Sequence, residues 1–323
     1  MIDNHARRHP IVLLLFSCLL AAPTMLVADG WTQPEGESFI GITYGSSSSN
    51  KVFRFDGETK FPTDNGGSTV RDYPLADRGL FFYIEHGLTD DFTLIGSAAL
   101  KRSIITSPVE RRETEGIGDM AIGGRYRVVS TGPHVLSARL NLTLPTGYRR
   151  DLTPPLGLGI PNVDIGAEYG YSFWPAPAYA SVALSYRLRP AIYALSSLDN
   201  PEEEFEPEYA DAIVSRAELG YTFNERILLR TSGSFLSTVR QDDNDFDIKH
   251  PPATEQYLKV GFGAGAFFDN GLLVTADIGL TPAGLKTSQS TDLAIGVAWK
   301  GVRGELFGGG AENEEREGGG GDE

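Results

Sequence analysis

The sequence has only one cysteine, no long apolar run after its N-terminal region and no basic patch, and each of these absences excludes or disfavours a class of protein. Its single cysteine, Cys18, lies in an apolar stretch near the N-terminus, so disulfide bonds and thiol chemistry are not expected in the rest of the chain. After Ala28, no apolar run approaches the roughly 18 residues of a spanning helix. No basic patch with interleaved aromatic residues occurs, which disfavours a nucleic-acid partner. If this chain crosses a membrane, it must therefore cross as β-strands.

The N-terminus has the layout of a secretory signal peptide. Arg7 and Arg8 precede an apolar run over residues 11–20, and the small residues Ala21, Ala22 and Ala28 follow, although Leu26 fits the small-residue rule poorly. We therefore expect residues 1–28 to be a signal peptide that is removed on export. A second interpretation of the same region is a lipoprotein acylated at Cys18.

The net charge of −15 is distributed unevenly. Acidic residues concentrate in three segments, 200–209, 242–247 and 304–323. We expect the first two to be solvated loops and residues 304–323 to be a disordered acidic tail rich in glycine and glutamate. Nothing in the composition marks an internal boundary, so residues 29–303 are predicted to form one domain.

Residues 116–189 contain two successive segments in which polar and apolar residues alternate. In the first, Arg125, Arg127 and Arg139 fall on one face, and a row of leucines that includes Leu140 and Leu142 falls on the other. Strands of about 10 residues with an aliphatic outside and a charged inside are what a lipid-embedded barrel requires. We predict that the leucine face contacts lipid and that the arginine face lines a water-filled lumen.

The same alternation recurs along the chain and predicts 12 strands, with one strand at each end and five tight hairpins between them. The short turns lie at residues 89–91, 130–133, 174–177, 224–226 and 269–271, and they alternate with long connections such as 46–77 and 102–115. The pattern predicts an all-β fold, a transmembrane antiparallel up-and-down β-barrel with short periplasmic turns and long extracellular loops. Aromatic residues gather beside the short turns, as an interfacial girdle requires: Phe92, Tyr171, Phe173, Trp174, Tyr221, Phe223, Phe268 and Trp299.

Several short motifs occur in order in this region: GIGD at 116–119, GRYR at 124–127, LPTG at 144–147, GLG at 157–159, NVD at 162–164 and SYRLR at 185–189. Together they resemble those of a family of outer-membrane transporters named for the MetA pathway of phenol degradation. The resemblance implies an outer-membrane barrel that passes hydrophobic or aromatic compounds, but it identifies no substrate. The chain departs from such barrels in its acidic tail after Phe307, because they often end at an aromatic residue.

The alternation assigns ten cations and six anions to the lumen: Lys101, Arg125, Arg127, Arg139, Arg187, Arg189, Arg216, Arg230, Lys259 and Lys300, with Glu85, Asp119, Asp164, Glu168, Glu218 and Asp277. One interpretation is a positively biased channel that prefers anionic solutes such as aromatic carboxylates, because an arginine can bind a carboxylate bidentately. The other is a network of salt bridges that fills the lumen and stiffens the wall. For a channel, the first choices for the selectivity wall are Arg125, Arg127, Arg139, Arg187 and Arg230, with the loops near Tyr148 and Leu156 as a lid.

These observations favour a monomeric outer-membrane channel or facilitator for small solutes, with membrane lipid and the solute as its partners and without cofactor or enzymatic activity. One alternative is a closed barrel with a structural or adhesive role at the cell surface. Another is an outer-membrane hydrolase, which the sequence supports less because His86, His134 and His250 show no pairing with a serine. The acidic run at 242–247 could bind a divalent cation, but it lacks the turn glycine and distal glutamate of a calcium loop, so a solvated loop is favoured.

Overall fold

The computed structural model describes residues 30–60, 75–106, 111–146, 156–190, 209–240 and 254–303. The predicted signal peptide, the acidic tail and the acidic run at 242–247 lie outside these residues. The described part of the chain contains no helix long and apolar enough to cross a membrane. Its regular structure consists of strands β1 (Glu37–Phe53), β2 (Thr59–Lys60), β3 (Leu75–Thr89), β4 (Phe92–Thr106), β5 (Arg111–Ile117), β6 (Met120–Thr131), β7 (His134–Leu144), β8 (Asn162–Ser172), β9 (Ala178–Leu188), β10 (Ala212–Phe223), β11 (Ile227–Thr238), β12 (Gln256–Phe267), β13 (Leu272–Leu285) and β14 (Ser288–Arg303).

Twelve antiparallel strands close into a barrel, which confirms the predicted fold. Neighbours in the chain are neighbours in the wall, and β1 pairs with β14 from Glu37 opposite Arg303 to Val52 opposite Ser288, which removes the free edges. Strands β5 and β6 both pair with β4 and together form one wall strand, interrupted at residues 118–119. The two-residue β2 pairs with the far end of β1 and lies off the barrel.

The five predicted tight turns all lie at one end of the barrel, between β3 and β4, β6 and β7, β8 and β9, β10 and β11, and β12 and β13. At the last of them, Gly271 has a positive φ of 77°, as the Asn-Gly pattern predicts. We call this the inner end, because short turns of outer-membrane barrels face the periplasm. The opposite end is the outer end.

At the outer end several strands are longer than predicted. Strand β1 continues through a run of serines to Phe53, β4 reaches Thr106, and β5 occupies much of the predicted loop 102–115. Strands β13 and β14 are joined there by only residues 286–287, where the strict alternation of short and long connections predicted a long loop. Beyond the lipid, backbone pairing continues without any need for apolar side chains, so a polar sequence does not end the strand.

The partition of side chains between the two faces of the wall is the predicted one. Leu140 and Leu184 point outward, and 55% of Leu140 is exposed. On the same two strands Arg139 and Arg187 point inward, and their side chains are 17% and 14% exposed. Most of the predicted aromatic girdle is also exposed near the inner turns, including Phe173, Trp174, Tyr221, Phe223, Phe268 and Trp299. The outward surface is therefore that of a lipid-facing barrel rather than of a soluble sandwich.

Small apolar clusters occupy both ends of the lumen. Near the inner end, Phe39, Leu273 and Ala298 are buried together, with Tyr83 and Phe267 packed against them. Near the outer end, Ala212, Leu236 and Tyr257 form a second cluster. The charged side chains of the lumen lie largely between these clusters.

Candidate functional site: the charged lumen

The centre of the lumen is organised around the carboxylate of Glu168 on β8. Arg125 donates from Nε to one oxygen of Glu168 at 2.5 Å, and Arg139 donates to the other at 2.6 Å. The guanidinium of Arg216 lies 3.7 Å from that second oxygen. Arg125 also donates to Glu85 at 2.9 Å. We call these five residues the Glu168 network; Glu168 and Arg125 are 1% and 0% exposed, so their charges are neutralised mainly by one another.

Residues 30–36 enter the inner end of the barrel and bind this network; we call them the N-terminal segment. The carbonyl oxygen of Trp31 accepts a hydrogen bond from Arg125 at 2.9 Å, and the carbonyl of Gly30 accepts one from Ser137 at 2.6 Å. Gln33 donates from its side chain to Glu85 at 2.7 Å. The sequence does not predict this position, since a short polar segment without periodicity gives no sign that it folds back into the lumen.

Gly170 on β8 makes room for the Trp31 side chain of the N-terminal segment. A Cβ atom added to Gly170 would lie 2.5 Å from the ring of Trp31, so any larger residue there must displace the ring. Trp31 also packs against Tyr179 in an edge-to-face arrangement, with ring centroids 6.2 Å apart. Tyr179 in turn donates to Glu218 at 2.5 Å. The aromatic pair therefore connects the N-terminal segment to a second group of charges.

This second group is centred on Arg230 of β11. Its guanidinium donates to Asp277 at 2.7 Å and to Glu218 at 3.2 Å. The group depends on Gly263 of β12, because a Cβ atom there would overlap the Asp277 carboxylate and crowd Arg230. Three of the residues predicted to line the lumen, Glu218, Arg230 and Asp277, are thus brought together.

Towards the outer end the remaining charges form separate pairs. Arg187 and Asp164 make a bidentate pair with distances of 2.7 and 2.9 Å. The other three pairs are Arg189 with Glu255 at 3.2 Å, Lys259 with Asp292 at 3.0 Å and Lys101 with Asp77 at 3.9 Å. The carboxylates Asp77, Glu255 and Asp292 were not assigned to the lumen from the sequence. Asp77 and Asp292 fall in or beside predicted loops, and Glu255 directly follows one.

Residues 156–160 fold inward near the outer end. The carbonyl of Leu156 accepts a hydrogen bond from the buried ammonium of Lys101 at 3.0 Å, and both Leu156 and Ile160 are buried. Asp119 accepts a weak hydrogen bond from the backbone of Leu158 at 3.4 Å. Leu156 therefore lies inside the barrel near its outer end. Tyr148, the other residue of the predicted lid, is outside the described residues. That these loops act as a lid stays a prediction.

The lumen is more evenly charged than the predicted ten cations and six anions. Arg127 does not join the central charges but donates to Asp91 at the inner turn, at 2.8 Å, and Lys300 is exposed at the same end. Each of the other eight predicted cations has a carboxylate within 4 Å: Lys101, Arg125, Arg139, Arg187, Arg189, Arg216, Arg230 and Lys259. The arrangement resembles the salt-bridge interpretation, and the part of these residues in solute passage stays a prediction.

Arg216 differs from the other luminal arginines in its contact with solvent. Its side chain points inward from β10, yet 41% of it is exposed, compared with 17% for Arg139. It also reaches Glu168 at the longest distance of the three guanidiniums around that carboxylate. Arg216 is therefore the most solvent-exposed of the three guanidiniums around Glu168.

One of the histidines does lie beside a serine, contrary to the expectation from the sequence. Ser38 Oγ is 2.9 Å from Nδ1 of His86, a contact between β1 and β3 near the inner end. The pair is not placed for hydrolysis, because Ser38 is buried and a nucleophile must reach its substrate. His134 contacts Tyr169 instead, at 2.6 Å.

Comparison with solved structures agrees with the barrel fold. The chain is similar to the crystal structure of an outer membrane channel from Pseudomonas putida F1, with a TM-score of 0.63 and 16% identity over 85% of this chain and 98% of that one. Weaker likenesses, which carry no argument here, include the translocator domain of the autotransporter NalP from Neisseria meningitidis, with a TM-score of 0.46 and 15% identity over 83% of this chain and 89% of that one. Another is the NanC porin, with a TM-score of 0.49 and 6% identity over 81% of this chain and 99% of that one.

No protein-family profile matches the sequence, and no curated protein matches it either. The resemblance to the family named for the MetA pathway of phenol degradation therefore stays a prediction. What the structural likeness shows is the architecture: this chain is a closed 12-stranded antiparallel β-barrel of the kind found in outer-membrane barrels.

Proposed function

We propose that the protein is an outer-membrane channel through which small solutes pass by diffusion. The observation that carries the proposal is Arg216, an inward-facing arginine whose side chain is 41% exposed inside a closed barrel. A charged group in that position requires water in the lumen, because burial without water would cost several kcal/mol. The lumen near it is also lined by small polar side chains, Ser185, Ser232 and Ser234, which are only partly buried.

The solutes that fit this lumen are small anions, among them aromatic carboxylates. Glu168 is shared by three guanidiniums, and with Glu85 the Glu168 network has three cations and two anions. Arg216 is the most exposed of the three guanidiniums and lies farthest from the Glu168 carboxylate. A guanidinium binds a carboxylate through two parallel hydrogen bonds, and the aromatic edges of Trp31 and Tyr179 offer apolar contact elsewhere in the lumen. The resemblance to transporters of aromatic compounds points to the same solutes.

Planar-bilayer recording of the folded full-length protein tests this proposal. The wild-type protein should give discrete conductance steps, and its reversal potential in a KCl gradient should show a preference for chloride. Arg216→Gln should reduce that preference, because it removes the most exposed cation of the Glu168 network. Arg226→Gln is the matched control, since Arg226 is an exposed arginine at an inner turn that pairs with Asp269. Equal reversal potentials for the wild-type protein and Arg216→Gln would contradict the assigned role.

A closed barrel without transport is the second candidate, and the position of the N-terminal segment favours it. Gly30, Trp31 and Gln33 are bonded across the inner end of the lumen, and residues 156–160 enter from the outer end. Wild-type protein that is folded, as judged by faster migration of unheated samples on SDS gels, but gives no conductance steps would support this candidate over the channel.

A further inference from the structure

Two arginines face outward at the outer edge of the lipid-facing surface. Arg78 on β3 is directly opposite Arg102 on β4, and both are exposed. Two residues nearer the inner end, the same face carries Leu80 opposite Leu100, both exposed and apolar. Since a strand rises about 3.3 Å per residue, the arginine pair begins roughly 7 Å beyond these leucines. The two guanidiniums are therefore at the level where hydrocarbon gives way to lipid headgroups.

The charges around this pair leave an excess of cations. Arg102 forms an ion pair with Glu113 of β5, and Glu113 is also held by Arg111 at 3.0 Å. Glu115 is exposed and directly opposite Arg102 on its other side. Within the described part of the chain, the patch has three arginines and two glutamates, and Arg78 forms no ion pair there. Like charges directly opposite each other on a sheet are destabilising, so an anion between Arg78 and Arg102 would relieve their repulsion.

Three other described strands carry apolar side chains where β3 and β4 carry this arginine pair. The outermost outward-facing side chains of β7, β9 and β10 are Leu144, Leu188 and Ile213, all exposed and apolar. Lipid would meet hydrocarbon side chains there up to the end of the strand. The arginine pair is thus a local property of β3 and β4 and not a uniform belt of charge around the barrel.

We propose that Arg78 and Arg102 bind a phosphate group of an outer-leaflet lipid. In a bacterial outer membrane that lipid is a phosphorylated glycolipid, whose phosphates lie at the boundary where these side chains end. A guanidinium offers a planar fork of donors that matches phosphate oxygens, and two opposed guanidiniums can hold one phosphate between them. The proposal depends on an outer-membrane location but not on solute passage through the lumen.

Native mass spectrometry of the folded full-length protein in detergent tests the proposal, with bisphosphorylated lipid A and its chemically dephosphorylated form as probes. The wild-type protein should retain bisphosphorylated lipid A and release the dephosphorylated form. Arg78→Gln combined with Arg102→Gln should weaken retention about tenfold or more, since charge-assisted hydrogen bonds are lost. The control Arg226→Gln removes an exposed arginine at the inner end and should retain the lipid as the wild-type protein does.

Weaker lipid retention by the double variant could also result from misfolding or from the loss of positive charge in general. A variant that is expected to bind more tightly separates these causes from the loss of a phosphate site. Glu113→Gln should strengthen retention, because it frees Arg102 and Arg111 from their shared carboxylate. Equal retention of both lipid A forms, or unchanged retention by the double variant, would overturn the proposal. Displacement of the lipid by millimolar inorganic phosphate would also overturn it, since it would indicate a site for free phosphate. Bilayer conductance of the double variant should stay at the wild-type level, so failure of this proposal and failure of the channel are distinguishable.

Discussion

Replacement of Glu168 by glutamine tests whether the charges of the lumen stabilise the barrel. In the wild-type protein this buried carboxylate forms ion pairs with the guanidiniums of Arg125, Arg139 and Arg216. Glutamine preserves the shape of the side chain but removes its charge. Arg125 then keeps its contacts with Glu85 and the Trp31 carbonyl, while Arg139 and Arg216 lose their contact with the Glu168 carboxylate.

The expected loss of stability is on the order of 3 kcal/mol in the free energy of unfolding. Removal of one partner from a buried ion pair typically costs about 3–5 kcal/mol, because the other charge remains buried without compensation. The lower end applies because Glu85 still contacts Arg125, and because the partly exposed Arg216 can turn towards water. The same change makes the lumen more positive, so the preference for chloride in bilayers should rise.

Urea titration of the folded protein in detergent micelles, followed by tryptophan fluorescence, measures the first effect. Asp91→Asn is the matched control, because it breaks the solvent-exposed pair with Arg127 at the inner end. An exposed pair of this kind contributes about 0–1 kcal/mol. If Glu168→Gln and Asp91→Asn lower the free energy of unfolding by the same small amount, the luminal network does not stabilise the barrel.

Two glycine substitutions test the contacts around the network. Gly170→Leu should displace the ring of Trp31 and raise the single-channel conductance by loosening the N-terminal segment; conductance equal to that of the wild-type protein would refute the anchoring role of Trp31. Gly263→Val should crowd Asp277 and Arg230 and lower the free energy of unfolding in urea by about 1–3 kcal/mol, whereas Gly233→Val, which places its Cβ in ordinary contact only, should change it less.

The sequence predicted the wall of the barrel well because lipid imposes a strict rule on each strand. Alternating residues such as Arg139 and Leu140 must face opposite sides, and only one of those sides tolerates charge. The same rule located the five inner turns, where the chain must reverse within a few residues. The rule applies only to residues that face lipid. The outer ends of β1, β4 and β5 extend beyond the lipid, so their polar sequences predict loops instead of strands.

The arrangement inside the lumen was less predictable. Alternation shows which side chains point inward, but ion pairing depends on which of them meet across the lumen from strands that are distant in sequence and not hydrogen-bonded to each other. Arg189 pairs with Glu255, and Lys259 pairs with Asp292, across 66 and 33 residues. The N-terminal segment gave no signal at all, apart from the single aromatic residue Trp31 in a polar stretch. The partners in the buried charge network can therefore be assigned only from the closed barrel and not from the sequence alone.

Accessibility of engineered cysteines on β9 tests the central claim most directly, because neighbouring positions on this strand should face lipid and water in turn. In a Cys18→Ser background, which removes the single native cysteine, Leu184→Cys and Ser185→Cys are compared in proteoliposomes. A membrane-impermeant, water-soluble maleimide should label the cysteine at 185, while the cysteine at 184 should react only with a lipid-soluble maleimide. The reverse pattern, or equal labelling of both positions by the water-soluble reagent, would contradict a lipid-embedded barrel with a water-filled lumen.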